Sequence, residues 1–134
     1  MAKIKLLIDT DIFIDALKGI KSAKYLFRMK EIELYCSILT KKELLLKEGL
    51  RESERERIMT LLSKIKILRI DNDIQEKFLS LMKKYGERPE VLADYFIAAT
   101  AWAKNLPLLT RNRKHFEQIK EIKLSPVYEY NNEV

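Results

Sequence analysis

"KIKLLIDTDIFIDALKG", Lys3 to Gly19, changes character at a single residue. Ile4 to Ile8 is a short apolar run interrupted only by Lys5, and it stops at Asp9. Asp11 follows two residues on, and Asp15 four after that. A short apolar run of this kind reads as a fully buried strand. Asp11–Lys18 reads as a helix, with Ile12, Phe13, Ala16 and Leu17 on one face and Gly19 as its stop. The fold is decided by what surrounds this strand, and the function by why acids stand at its carboxyl end.

Outward from it the chain alternates. Residues 21–29 read as a short helix, and "IELYCS", Ile32–Ser37, as a second strand. Helices are expected over Thr40–Lys47 and from about Glu54 to Ser63, the latter opened by a Ser53/Glu56 capping box. "KILRI", Lys66–Ile70, is a third strand, and Asp71–Tyr85 a helix. Pro89 suits the first position of a helix running to Lys104, with Asn105 as its left-handed stop. "LPLLT", Leu106–Thr110, is a fourth strand, and a weaker fifth falls near Ile122–Leu124. Alternating strands and helices predict an α/β chain with a mostly parallel sheet of about five strands. Ligands of such sheets bind beyond the carboxyl ends of the strands, which is where Asp9 stands.

The 134 residues suffice for one domain, 1–134, with one core. There is no low-complexity linker and no repeat. Lys and Arg number 26 against 20 Asp and Glu, a net charge of +6, so anionic partners such as nucleic acid are favoured. The lone cysteine, Cys36, excludes an internal disulfide and fits a reducing cytoplasm. No stretch is long enough to cross a membrane, and Asp9 breaks the first apolar run too early for a signal-peptide core.

Two further acids stand near predicted strand ends. Glu43 lies in the helix after strand two, and Asp94 in "EVLADYFIAATAWAKN", a helix apolar over most of its circumference. A carboxylate there is costly to bury unless a cation shared with Asp9 compensates it. Hard oxygen donors select Mg²⁺ or Mn²⁺, and no Cys/His cluster exists for zinc.

"LLIDTDIFIDALKG", "TKKELL" and "LADYFIAATAWAKNLPLLTRNRKHF", in that order, resemble PIN-domain ribonucleases, specifically the toxins of VapBC-type toxin–antitoxin pairs. The resemblance implies a three-layer α/β/α fold, Mg²⁺- or Mn²⁺-dependent RNA hydrolysis, a homodimer and a cognate antitoxin partner. The metal-dependent class implies 5′-phosphate and 3′-hydroxyl products. By match to the motifs, Asp9, Glu43 and Asp94 form the catalytic, metal-holding cluster. Thr10 and Asp11 support the first acid; Thr110 and Asn112 close strand four. Many relatives carry another acid in this last segment, where Asn112 and His115 stand here. Arg111, Arg113 and Lys114, just beyond the strand, are candidate contacts to RNA phosphate.

Plainer readings accompany each residue. Asp9 could simply cap the following helix, though a cap does not need Asp11 and the distant acids too, and Thr40-x-x-Glu43 is itself a capping box. Asp11 reads evenly as a support or a cap, Asp15 as a solvated helix residue, and His115 as a structural or phosphate-contacting group. The Ala98–Ala103 face suits close packing. Two rival functions remain: a PIN fold that binds RNA or a partner without cleaving, and a haloacid-dehalogenase-type phosphatase, which "DTD" after a strand also resembles. The phosphatase motif wants Thr or Val where Phe13 stands and a glycine-bearing acidic loop, and the chain has only 3 glycines.

Overall fold

Side chains of β1 (Ile4–Ile8) point alternately to the two sides of the sheet, as a pleated strand requires, and this divides the core in two. Leu6 and Ile8 join one apolar cluster, with Leu34, Cys36 and Leu109; Leu7 joins the other, with Leu108 and Tyr95. The structure is a computed structural model that describes residues 3–128. The residues at 1–2 and 129–134 of the expected 1–134 domain lie outside the described residues.

Four parallel strands, β1, β2 (Ile32–Ser37), β3 (Lys66–Leu68) and β4 (Leu108–Leu109), are ordered β3-β2-β1-β4. Helices α1 (Thr10–Leu17), α3 (Ile38–Leu45) and α4 (Glu52–Leu62) cover one face through Ile12, Phe13, Leu44, Ile58 and Leu62. Helices α5 (Asn72–Tyr85) and α6 (Leu92–Lys104) cover the other through Ile74, Leu81, Tyr95, Ile97 and Ala98. A short helix, α2 (Lys21–Leu26), completes the first layer, where Ala23 packs with Ala16 and Ile20. The expected α/β/α sandwich is therefore present. The small faces of Ala98, Ala99 and Ala101 are buried against the sheet, so the alanine-rich stripe is internal packing.

Several boundaries differ from the sequence expectations. The sheet has four strands, not about five: Leu124 makes a single parallel bridge to Leu108. The Leu108 N–H donates to the Lys123 carbonyl and the Ser125 N–H to the Leu108 carbonyl, and the ladder goes no further among the described residues. The helix after β2 begins at Ile38, because the Ser37 hydroxyl accepts the Leu39 N–H as its cap. Thr40 is consequently buried inside α3, and the expected Thr40/Glu43 capping box does not form. Likewise α4 starts at Glu52 from Arg51, which leaves Ser53 inside the helix and removes the Ser53/Glu56 box. Pro89 opens a 3₁₀ turn, Pro89–Val91, rather than α6 itself. Asn105 does close α6 in the left-handed conformation, at φ 53° and ψ 49°.

The order of strands creates a switch point. From β1 the chain moves to β2 and β3 on one side through helices on one face. It then returns through α5 and α6 on the opposite face to place β4 on the other side of β1. The carboxyl ends of β1 and β4 thus meet where the connections diverge, the position at which open parallel sheets bind ligands.

Cys36 tests the packing of the β1–β2 face. It is fully buried, and burial pushes its thiol up to about 12. The native protein should not react with a thiol-modifying reagent at neutral pH, and labelling should follow the unfolding transition in denaturant. Rapid labelling of the folded chain would show that this face is open.

Candidate active site

Asp9 ends β1 in an extended conformation, and its carboxylate turns back on the helix that follows. Its Oδ1 accepts the Thr10 N–H at 2.8 Å, which makes it the cap of α1. Its Oδ2 accepts the Thr110 hydroxyl at 2.9 Å, across the switch point at the end of β4. Asp9 is thus both the cap and the acid of a site. Asp11, in the first turn of α1, accepts the Arg111 N–H at 2.8 Å on Oδ2. The other oxygen of Asp11 is buried and, among the described residues, accepts no hydrogen bond. The Thr110 hydroxyl lies 3.4 Å from Asp11 and itself accepts the Asn112 N–H at 3.0 Å. Thr10 reaches the buried Thr40 hydroxyl at 3.2 Å, tying α1 to α3.

One cavity of about 450 Å³ collects these groups. Asp9, Thr10, Asp11, Glu43, Asp94, Arg111 and Asn112 all line it. Residues as far apart in sequence as Asp9 and Asn112 are therefore brought to one place. Asp94 sits in the first turn of α6, where the helix dipole favours a negative charge. Its Oδ2 lies 2.9 Å from His115 Nδ1, which is also 2.8 Å from the Asn112 amide nitrogen. That ring nitrogen serves one of them at a time: it donates to Asp94 when protonated and accepts from Asn112 when not. Glu43 stands exposed at the rim, and its side chain makes no hydrogen bond or ion pair among the described residues. With the capping box absent, lining this cavity is its one visible structural role.

The electrostatics follow from burial. Desolvation raises the Asp9 carboxyl to about 6; the Asp11 and Asp94 charges add to the rise, and the bonds from Thr10 and Thr110 partly offset it. Burial likewise raises Asp11, against the lowering effect of the Arg111 N–H and guanidinium. Among the described residues no three His, Cys, Asp or Glu side chains are already gathered closely enough to hold a metal ion. The chemistry of the donor set nevertheless fits a hard cation. It is all oxygen, it includes one orphaned buried carboxylate oxygen, and it raises a carboxyl that a cation would relieve.

Two expectations change here. Asp15 is not solvated: it is fully buried and accepts the Arg111 guanidinium side-on, from Nη2 at 2.8 Å and from Nε, together with the Tyr128 hydroxyl at 2.6 Å. The Arg111 head group, expected at RNA phosphate, is thereby engaged within the protein. The signal was present, since Asp15 lies four residues after Asp11 and between the buried Ile12 and Ala16 on one helical face. Tyr128 carried no such signal. Arg113 donates from Nη1 to the Ser125 carbonyl at 2.8 Å, and Lys114 is exposed.

A three-layer parallel α/β/α domain whose acids gather at the ends of adjacent strands is the architecture of a carboxylate-site domain. The chain belongs to the PIN domain family, which it matches over residues 6–122. It is 33% identical to ribonuclease VapC1 of Methanocaldococcus jannaschii over 124 residues, 90% of this chain and 85% of that protein. It is 30% identical to ribonuclease VapC10 of Mycobacterium tuberculosis, across 88% of this chain and 90% of that one. Among solved structures it resembles a toxin–antitoxin complex from Klebsiella pneumoniae, at a TM-score of 0.72 and 31% identity over 87% of this chain and 94% of that chain. The fold also matches VapBC2 of Rickettsia felis, at a TM-score of 0.76 and 21% identity over 94% of this chain and 100% of that chain. The phosphatase alternative is set aside by this membership.

The raised Asp9 carboxyl has a measurable sign. In the folded chain it keeps its proton to about pH 6, and in the unfolded chain only to its ordinary value near 3.8. The stability this group contributes is therefore complete at low pH and lost as pH rises through about 6. Between about pH 4 and about pH 7 the metal-free protein should lose roughly 2 to 3 kcal/mol that Asp9→Asn does not lose. Urea unfolding of both proteins at the two pH values measures the difference. Parallel profiles would mean that Asp9 is well solvated.

Proposed function

We propose that this protein is a Mg²⁺- or Mn²⁺-dependent endoribonuclease and the toxin of a VapBC-type pair, with RNA as substrate and a cognate antitoxin as inhibitor. The observation that carries this reading is the single cavity that joins Asp9, Glu43 and Asp94 at the carboxyl ends of β1 and β4. The names of the ribonuclease relatives support the reaction, and the toxin–antitoxin complex of similar fold supports the partner. A homodimer is part of the same proposal.

Asp9 and Asp94 would hold the cation, with Glu43 completing the set from the rim. The cation would supply a water acidified enough to attack phosphorus and a positive charge to neutralise the phosphate. Glu43, with no competing partner among the described residues, would orient the attacking water and accept its proton. Thr110 and Thr10 hold the surrounding helix and strand ends in register. Burial of Asp9 and Asp11 keeps bulk water from solvating the charged pair.

Phosphate contact falls to the exposed cations around this cavity. Lys114 is exposed in the short turn Arg113–His115 that follows the segment after β4. A neighbouring cavity of about 660 Å³ shares Thr10, Ile14 and Glu43 with the first, and Lys18, Lys47 and Arg51 stand along it. In a chain of net charge +6, an acidic centre bordered by basic side chains suits a polyanion whose scissile phosphate is brought to a cation.

A second reading, a PIN fold that binds without cleaving, is favoured by Asn112 and His115 standing where many relatives carry an acid, with His115 facing Asp94. Metal binding separates the two. Wild-type protein should bind Mn²⁺ in a calorimetric titration and cleave RNA with it. Asp9→Asn and Asp94→Asn should each abolish cleavage with the fold intact by circular dichroism. A wild-type chain that binds no Mn²⁺ supports the non-cleaving reading.

Glu43→Gln keeps the shape of the side chain and removes its charge. Cleavage should fall by about 10²-fold or more, Mn²⁺ affinity should fall with it, and the melting temperature without metal should hold or rise as repulsion is relieved. Near-normal cleavage by this variant would remove Glu43 from the site.

A further inference from the structure

We propose that Asp15, Arg111 and Tyr128 form a clamp that sets the orientation of Asp11 and Asp9, so that Arg111 serves the reaction as a positioning residue and not as a contact to RNA. Asp15 is a fully buried carboxylate with no place in the mechanism above. Such a charge persists in a protein only where its oxygens are satisfied by strong donors. Here Oδ1 accepts Arg111 Nη2, and Oδ2 accepts Arg111 Nε and the Tyr128 hydroxyl. The guanidinium meets the carboxylate side-on, the planar two-point geometry that a lysine cannot reproduce.

The consequence lies in where Arg111 is attached. Its backbone N–H donates to Asp11, and its side chain reaches Asp15. Asp11 and Asp15 are four residues apart on α1, one above the other on a single helical face. One residue at the end of β4 therefore grips α1 at two points a turn apart. Two attachments a turn apart fix the slide and tilt of α1 against the end of β4, and the Thr110–Asp9 bond, off the line that joins them, fixes its rotation. Asp9 caps this same helix, and Thr110, the neighbour of Arg111, donates to Asp9. Rotation of α1 is thus rotation of Asp9 and Asp11 relative to Asp94 on α6. Tyr128 adds the segment after β4 to the same carboxylate, so the far end of the described chain is tied to the site at its beginning.

The catalytic part of this inference rests on the ribonuclease reading; the clamp does not. Arg111→Lys, Asp15→Asn and Tyr128→Phe test it with three readouts. The first is amide hydrogen exchange in the metal-free protein. The Arg111 N–H should be protected in wild type and lose protection in Arg111→Lys and Asp15→Asn. The Asp9 N–H, which donates to the Leu109 carbonyl within the sheet, should stay protected. The second is Mn²⁺ titration: affinity should drop about tenfold or more in Arg111→Lys. The third separates positioning from RNA binding. In Arg111→Lys kcat should fall about tenfold or more, while KM for RNA and its salt dependence stay unchanged. Asp15→Asn combined with Arg111→Lys should be no worse than the poorer single variant, because both break one device.

Should Asp15→Asn fail to fold, Tyr128→Phe removes only one donor to the same carboxylate and should show the same changes in smaller measure. The proposal is overturned if Arg111→Lys and Tyr128→Phe both keep wild-type amide protection at Arg111. It is equally overturned if Arg111→Ala raises KM and lowers the salt slope by about one with kcat unchanged, the signature of a lost phosphate contact. If wild type neither binds Mn²⁺ nor cleaves RNA, the ribonuclease reading fails and the exchange data alone decide the clamp.

Discussion

Like charges held out of water are the constraint on which this structure turns. Asp9 and Asp11 lie two residues apart at the end of a buried strand, with Asp94 close enough to raise Asp9 further. Hydrogen bonds from Thr10, Thr110 and the Arg111 N–H reduce the cost without cancelling it, and one oxygen of Asp11 is left with none among the described residues. A protein keeps groups in so unfavourable a state where their chemistry is used. The unspent repulsion is what a cation would relieve.

The rest of the fold supplies the desolvation and the geometry. β1 is buried on both faces, which leaves Asp9 half-buried at the floor of the cavity. β4 has only two residues, yet it delivers Thr110 and Arg111 to opposite needs: a hydroxyl to the first acid, and a backbone amide to the second. α3 and α6 bring Glu43 and Asp94 from the two layers of helices to a common cavity. The balance of charge follows the same plan, with acids at the centre and lysines and arginines on the neighbouring surface of a chain that is +6 as a whole.

Much of this was legible before any coordinates. Period and composition located β1 and β2 at their observed bounds, and Gly19 and Asn105 ended their helices where positive φ was needed. Asp9 and Asp94 stood out because a carboxylate at the end of an apolar strand, or within an apolar helix, is an energetic anomaly in sequence, whereas Glu43 was singled out by the family resemblance. Capping was read less well. Thr40/Glu43 and Ser53/Glu56 satisfy the box pattern, but Ser37 caps α3 earlier, and α4 begins before Ser53 with no side-chain cap. A local motif competes with neighbouring starts for the same N–H groups, and the packing of Ile38 and Thr40 decided the outcome.

By itself, then, the sequence determined the class of fold and the strands around which the acids stand, because hydrophobic period acts over a few residues. Tertiary structure alone decided what those acids touch. The pairing of Asp15 with Arg111 spans 96 positions, and that of Asp15 with Tyr128 spans 113. Spacing sets Asp15 one turn from Asp11 beside buried side chains, but nothing local names the guanidinium or the hydroxyl that will meet it. The same holds for the fifth strand, which is reduced to the one bridge from Leu124 to Leu108. Burial and partner are properties of the assembled layers, and they set the charge, the orientation and the use of each side chain.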